Sequence, residues 1–74
     1  MTFEIYGGDH GDYTIHRRGV VGAVAFVQRN QKGGGYTVAR ADGGASYHMR
    51  HMPIVENRAD LIMALVNNRR PVAS

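Results

Sequence analysis

The spacing of the apolar residues changes once along the chain, at Pro53. Before Pro53, apolar and polar residues alternate, as they do around Phe3 and Ile5, and a period of two is typical of β-strands. After Pro53, the apolar residues follow the helical period and form one stripe, made of Leu61, Ile62, Leu65 and Val66. The chain is therefore predicted to fold into a sheet followed by a single helix.

Turn residues divide the part of the chain before Pro53 into short segments. The breaks are the glycine- and aspartate-rich stretch 7–11, Arg18-Gly19, the loop 30–35 and Asp42-Gly43. The strands are predicted at about residues 2–6, 12–18, 20–29, 36–41 and 45–52, and the helix at about 57–69. We expect one α+β domain over residues 1–74, an antiparallel β-meander of four to five strands with one C-terminal α-helix packed on one face.

The length and composition of the chain limit its functions. It has 74 residues, no Cys and a formal net charge of +3. A domain of this size buries only about 60% of its unfolded surface, so a water-excluding catalytic cleft is hard to build. The lack of Cys excludes a disulfide framework and a thiolate metal site. The N-terminal residues do not follow the pattern of a signal peptide, and the longest apolar stretch, residues 19–27, is too short to span a bilayer. We therefore expect a cytoplasmic protein without a membrane partner.

Two hairpin registers assign the side chains to the two faces of the sheet. A two-residue turn at Arg18-Gly19 places Tyr13 opposite Val24, and one at Asp42-Gly43 places Val38 opposite Tyr47. The face predicted to lie under the helix then carries the large side chains Phe3, Ile5, Tyr13, Ile15, Val20, Val24, Phe26, Tyr36, Val38, Tyr47 and Met49.

The other face is predicted to stay uncovered, and its residues form the candidate partner-binding site. Its third strand carries small apolar side chains where a solvated face normally carries polar ones, and exposed apolar surface is typical of interaction sites. The predicted partner-binding residues are His16, Val21, Ala23, Ala25, Val27, Ala39, His48 and Arg50, with a basic rim of Arg17, Arg18, Arg29, Lys32 and Arg40. Two alternatives stay open: loops or the N-terminal strand cover this face, or a one-residue bulge in either hairpin inverts the assignment.

The polar clusters do not have the spacing of a catalytic or metal site. His48 and His51 are three residues apart, which suits a helix rather than a strand, and no Cys or paired carboxylate accompanies them. The segment 9–12 lacks the ligand spacing of a calcium loop. In the segment 32–35 the glycines follow the Lys and a strand comes next, the reverse of a P-loop. We predict no enzymatic activity, no cofactor and no metal.

The nine Lys and Arg residues introduce an alternative function, binding of RNA or DNA. A sheet that reads single-stranded RNA needs aromatic side chains on its open face, whereas the predicted register places Tyr13, Tyr36 and Tyr47 under the helix. A net charge of +3 is also modest for a nucleic-acid binder. A basic RNA- or DNA-binding accessory protein therefore stays an alternative, as does an obligate homodimer that uses the open face.

The sequence favours a non-enzymatic protein-binding module. In size and architecture the chain resembles the small phage-encoded anti-CRISPR inhibitors, which are single domains without a cofactor motif. These inhibitors share no common motif, so the resemblance transfers no site residue. It implies a phage or mobile-element protein that blocks a host CRISPR–Cas effector complex by binding its surface, with arginines at the rim pairing with acidic patches on a Cas protein.

Overall fold

The computed structural model describes residues 2–8, 11–44 and 46–67. Five antiparallel strands form one sheet in chain order, and a C-terminal helix packs on it, which confirms the predicted α+β meander. The elements are β1 (Phe3–Gly7), β2 (Tyr13–Arg17), β3 (Ala23–Arg29), β4 (Tyr36–Arg40), β5 (Ser46–Met49) and α1 (Arg58–Asn67). β5 ends three residues before its predicted end at residue 52, and residues 68–69 of the predicted helix lie outside the described residues.

The core lies between α1 and one face of the sheet, which is called the covered face below. The sheet contributes Ile15, Ala25, Val27, Val38 and Met49, and α1 contributes Ala59, Ile62, Met63 and Val66. The buried stripe of α1 is therefore rotated relative to the predicted one, and Leu61 is exposed. The Asp60 carboxylate in the first turn of α1 accepts a hydrogen bond of 2.8 Å from the backbone N–H of Phe3, which fastens β1 to the start of the helix.

The two hairpin registers have different outcomes. The register of the β4–β5 hairpin is confirmed, because Val38 pairs with Tyr47 and Tyr36 pairs with Met49. The β2–β3 register is wrong: Tyr13 pairs with Val27 rather than with Val24. The connection is longer than a two-residue turn, because β3 begins only at Ala23, and the register shifts once more after Ile15.

The longer loop shifts the pairing of His16 by two residues, to Ala23, and an even shift keeps Ala23 on its predicted face. The irregularity between Ile15 and His16 adds one residue, so the face assignment of β3 is inverted from Ala25 onward, as the alternative of a one-residue bulge predicted. Ala25 and Val27, predicted on the open face, have no exposed surface and lie in the core under α1. Phe26, predicted in the core, is 43% exposed on the other side of the sheet. Val20 and Val21 belong to the loop before β3 rather than to the strand, and Val21 is fully exposed.

Among the described residues, no helix has the length and apolar character needed to cross a membrane.

Candidate binding surface

The open face is the side of the sheet opposite α1, and the strand pairings determine its members. It carries Glu4, Tyr6, Thr14, His16, Ala23, Phe26, Gln28, Thr37, Ala39, Ser46 and His48. Of the predicted partner-binding residues, the structure places His16, Ala23, Ala39 and His48 on this face. Arg50 follows β5 and is exposed. Ala25 and Val27 are excluded from the face by burial, and Val21 by its position in a loop.

One row of directly paired residues crosses the whole open face. Its members in order are Tyr6, Thr14, Phe26, Ala39 and Ser46. Tyr6 and Phe26 are the two aromatic members, and they are 53% and 43% exposed. They stand two strands apart, about 10 Å at the backbone for a strand spacing of about 4.8 Å. A cleft of about 230 Å³ across β1, β2 and β3 is lined by both aromatic residues together with Thr14, Gln28 and Asp12.

Tyr6 is held by polar and aromatic neighbours on the open face. Its hydroxyl donates a hydrogen bond of 3.2 Å to Oε2 of Glu4. That hydrogen bond, together with the negative charge of Glu4, raises the pKa of Tyr6 above the ordinary value of a phenol. The ring of Tyr6 meets the ring of His16 edge to face at a centroid distance of 5.2 Å. Nε2 of His16 lies 3.0 Å from the Thr14 hydroxyl.

A second row, next to the aromatic one, consists of Gln28, Thr37 and His48. Asn30 links two of its members. The Thr37 hydroxyl donates to Oδ1 of Asn30 at 2.8 Å, and Nδ2 of Asn30 contacts the Gly34 carbonyl at 3.1 Å and Nδ1 of His48 at 3.2 Å. Since Oδ1 already accepts from Thr37, Nδ2 is the donor to Nδ1 of His48. The ring proton of neutral His48 then resides on Nε2, which has no hydrogen-bond partner among the described residues and can donate to a ligand.

The predicted basic rim does not form around the open face. Arg17, Arg29 and Arg40 pair with residues of the covered face, so these three assignments are wrong, and Arg40 forms an ion pair with Asp42. Arg18 lies in the loop between β2 and β3. Lys32 and Arg50 lie at the opposite end of the sheet, in the loop after β3 and directly after β5.

A polar concavity of about 440 Å³ occupies this end of the sheet. It is lined by Gly33, Gly34, Gly35, His48, Arg50 and His51. The lining therefore contains one permanent cation and two imidazoles, and no carboxylate from the described part of the chain. His48 belongs both to the concavity and to the open face.

Among the described residues, no group of three or more His, Asp or Glu side chains is close enough to hold a metal ion. His10, one of the four histidines considered in the sequence, lies outside the described residues.

Four members of the candidate site were not among the predicted partner-binding residues: Tyr6, Phe26, Gln28 and Asn30. The alternation in β1 was sufficient to place Tyr6 opposite Phe3 and Ile5, and so on the open face. Phe26 carried no comparable signal, because its face depends on the bulge between β2 and β3, which no local pattern locates. Asn30 contacts His48 through space across 18 residues of sequence, which no local pattern indicates.

Comparisons of the chain with protein-family models, with curated proteins and with solved structures gave no significant match.

Proposed function

We propose that this protein is a non-enzymatic binding module whose open face receives a single-stranded nucleic acid. The observation that carries the proposal is the pair of exposed aromatic rings, Tyr6 and Phe26, in one row of the sheet face that the helix leaves uncovered. Nucleobases stack on aromatic side chains whatever their sequence, and each such stack contributes about 1–3 kcal/mol. A sheet with a helix on one face and aromatic rings on the other is one of the arrangements that bind unpaired bases.

The polar side chains around the rings support the same ligand. Thr14, Gln28 and Thr37 have hydroxyl and amide groups that donate and accept hydrogen bonds, as the edges of unpaired bases require. Glu4 is the only carboxylate among the described residues of this face, and the hydroxyl of Tyr6 donates to it. Asp12 also lines the cleft at the two rings, so this cleft suits an uncharged base rather than a phosphate.

Positive charge at one end of the face supports an orientation for the strand. Lys32 and Arg50 lie beyond the row of Gln28, Thr37 and His48, on the side away from the β2–β3 loop. A nucleic-acid strand with one base in the cleft at Tyr6 and Phe26 would run along this row of residues toward Lys32 and Arg50. Gln28 and His48 stand two strands apart, about 10 Å, so the path is a few nucleotides long.

The test is fluorescence anisotropy of the full chain with labelled single-stranded DNA and RNA at two salt concentrations. Phe26→Ala and Tyr6→Ala should each weaken binding about 5- to 100-fold, the loss expected from one base stack. Ile54→Ala is the matched control, because Ile54 is 96% exposed and lies outside the sheet. Wild-type affinity in both aromatic variants, or no binding at low salt, would refute the proposal.

A protein partner is the second candidate, and the uncharged middle of the open face favours it. Phe26 and Ala39 form a direct pair there, with Ala23 on the same face, and exposed apolar surface of this kind suits a protein interface. The anti-CRISPR resemblance belongs to this candidate, with the surface of a Cas protein as the partner. Its test is relief of CRISPR interference by the wild-type protein and loss of that relief in Ala39→Glu. Interference that persists in the presence of the wild-type protein across several subtypes would refute this candidate.

A further inference from the structure

We propose that the concavity at the loop 33–35 is a binding site for a phosphate group. The residues that carry this inference are Arg50, His48 and His51 together with the glycines that face them. The proposal does not depend on nucleic-acid binding by the open face, because a free phosphate and the phosphate of a nucleotide chain present the same oxygen atoms to the site.

The three donor side chains of the concavity come from β5 and from the residues that follow it. Arg50 and His51 follow β5 directly, and His48 is the third residue of β5. Arg50 is exposed, and no described carboxylate pairs with it. Its guanidinium has several N–H donors in a planar fork that fits two phosphate oxygens at once. The Nε2–H of His48 adds a donor whose orientation is set by the hydrogen bond between Asn30 and Nδ1.

The glycine loop supplies space and backbone donors opposite these side chains. Gly33, Gly34 and Gly35 all have positive φ, at 81°, 73° and 77°, a conformation that side-chain-bearing residues rarely adopt. Within the described chain, the hydrogen bonds of this loop use the carbonyls of Gly34 and Gly35, and no acceptor is found for the N–H groups of Gly33 and Gly34. Exposed backbone N–H groups in a turn are well suited to hold an anion.

Gly35 packs directly against the end of β5, beside His48. A Cβ atom at Gly35 would lie 3.3 Å from Nε2 of His48 and would collide with the backbone carbonyl of Met49. The loop therefore approaches β5 this closely only because residue 35 has no side chain, and this approach places the glycine loop next to His48 and Arg50.

This site differs from a P-loop, which places its glycines before a Lys and a helix N-terminus. Here the cationic donors come from a neighbouring strand end and the loop closes a β-hairpin. Such a site is shallow and open, so we expect millimolar rather than micromolar affinity for inorganic phosphate.

The experiment is an NMR titration of the full chain with inorganic phosphate, with sodium chloride at matched ionic strength as the control. The expected result is saturable shifts of the Gly33 and Gly34 amide resonances and of the His48 and His51 ring resonances. Arg50→Gln should weaken phosphate binding about three- to tenfold, since it removes a charged donor at an exposed site. Arg18→Gln is the matched control, because Arg18 lies in the loop at the opposite end of the sheet.

A second arm identifies the source of the phosphate. If inorganic phosphate binds and competes with a short single-stranded oligonucleotide, the site holds a backbone phosphate; if it binds without competition, the site takes a free phosphate. Either result supports the phosphate site. Oligonucleotide binding by Phe26→Ala is measured separately, and its loss would support binding by the open face. Linear, chloride-like shifts, or equal phosphate affinity in Arg50→Gln and Arg18→Gln, would overturn the proposal.

Discussion

Val27 and Phe26 are neighbours in β3 whose side chains lie on opposite faces, and truncating each one tests which face the helix covers. Val27 has no exposed surface and contacts the core, whereas Phe26 is 43% exposed on the open face. Val27→Ala removes two methyl groups, worth about 1.6 kcal/mol at about 0.8 kcal/mol each. The cavity left behind adds to this, so the expected loss in the free energy of unfolding is about 2–3 kcal/mol.

Phe26→Ala is expected to cost about 1 kcal/mol or less, because much of the ring is in water in the folded protein. For a domain of this size, 1 kcal/mol corresponds to about 4–8 °C in Tm. Val27→Ala should therefore lower Tm by about 10–20 °C and Phe26→Ala by less than half as much. Urea and thermal unfolding followed by circular dichroism measure both. A Phe26→Ala variant that is destabilised as much as Val27→Ala would refute the face assignment.

Three further predictions concern the contacts that hold the sheet, its helix and its loops together. Asp60→Ala should lower the free energy of unfolding by about 1–2 kcal/mol, because it removes the part-buried acceptor of the Phe3 N–H. Gly35→Ala should cost about 1–3 kcal/mol or more, since its φ is +77° and its Cβ would meet a β5 carbonyl. The N–H of Gly44, and then the neighbouring arginine, lower the pKa of Asp42. The pKa of Asp42 is therefore lower in the folded protein than in the unfolded chain. Above about pH 4, wild type should be more stable than Asp42→Asn, and this difference in stability should disappear as the pH falls below that value.

Denaturant titrations measure these three predictions against matched controls. Glu56→Ala removes an exposed carboxylate just before α1 and should be nearly neutral, so equal losses in Asp60→Ala and Glu56→Ala would contradict the role of Asp60. Gly33→Ala has a similar φ but open space around its Cβ, so it should cost less than Gly35→Ala. A stability difference between wild type and Asp42→Asn that grows as pH falls would contradict the depressed pKa.

The meander and the β4–β5 register were predictable because their signals are local. The alternation of apolar residues marks strands, and Asp42-Gly43 locates the connection that gives the predicted register. The turn itself is centred one residue earlier, because the Gly43 N–H donates to the Arg40 carbonyl, and Gly43 follows it at a φ of 77°. The end of extended structure before the helix was likewise visible in the change of period at Pro53.

The face of β3 was not predictable from local pattern. β3 is apolar on both sides, so its period does not say which side is buried. The predicted turn at Arg18-Gly19 forms, because the Val20 N–H donates to the Arg17 carbonyl, but the loop continues to Gly22, which also has a positive φ. This longer loop shifts the register by an even number of residues, so it does not change the faces. The one-residue bulge between Ile15 and His16 makes the shift odd and exchanges Phe26 for Val27 in the core. The candidate site therefore had to come from the structure.

We propose that the open face, rather than the helix or the covered face, is the surface that binds the ligand. The most direct test is a ¹H–¹⁵N NMR titration of the full chain with a short single-stranded oligonucleotide. We expect the largest shifts at Tyr6, Thr14, Phe26, Gln28 and Thr37, and small shifts throughout α1. Shifts concentrated in α1, or at Arg17 and Arg40 on the covered face, would contradict binding by the open face.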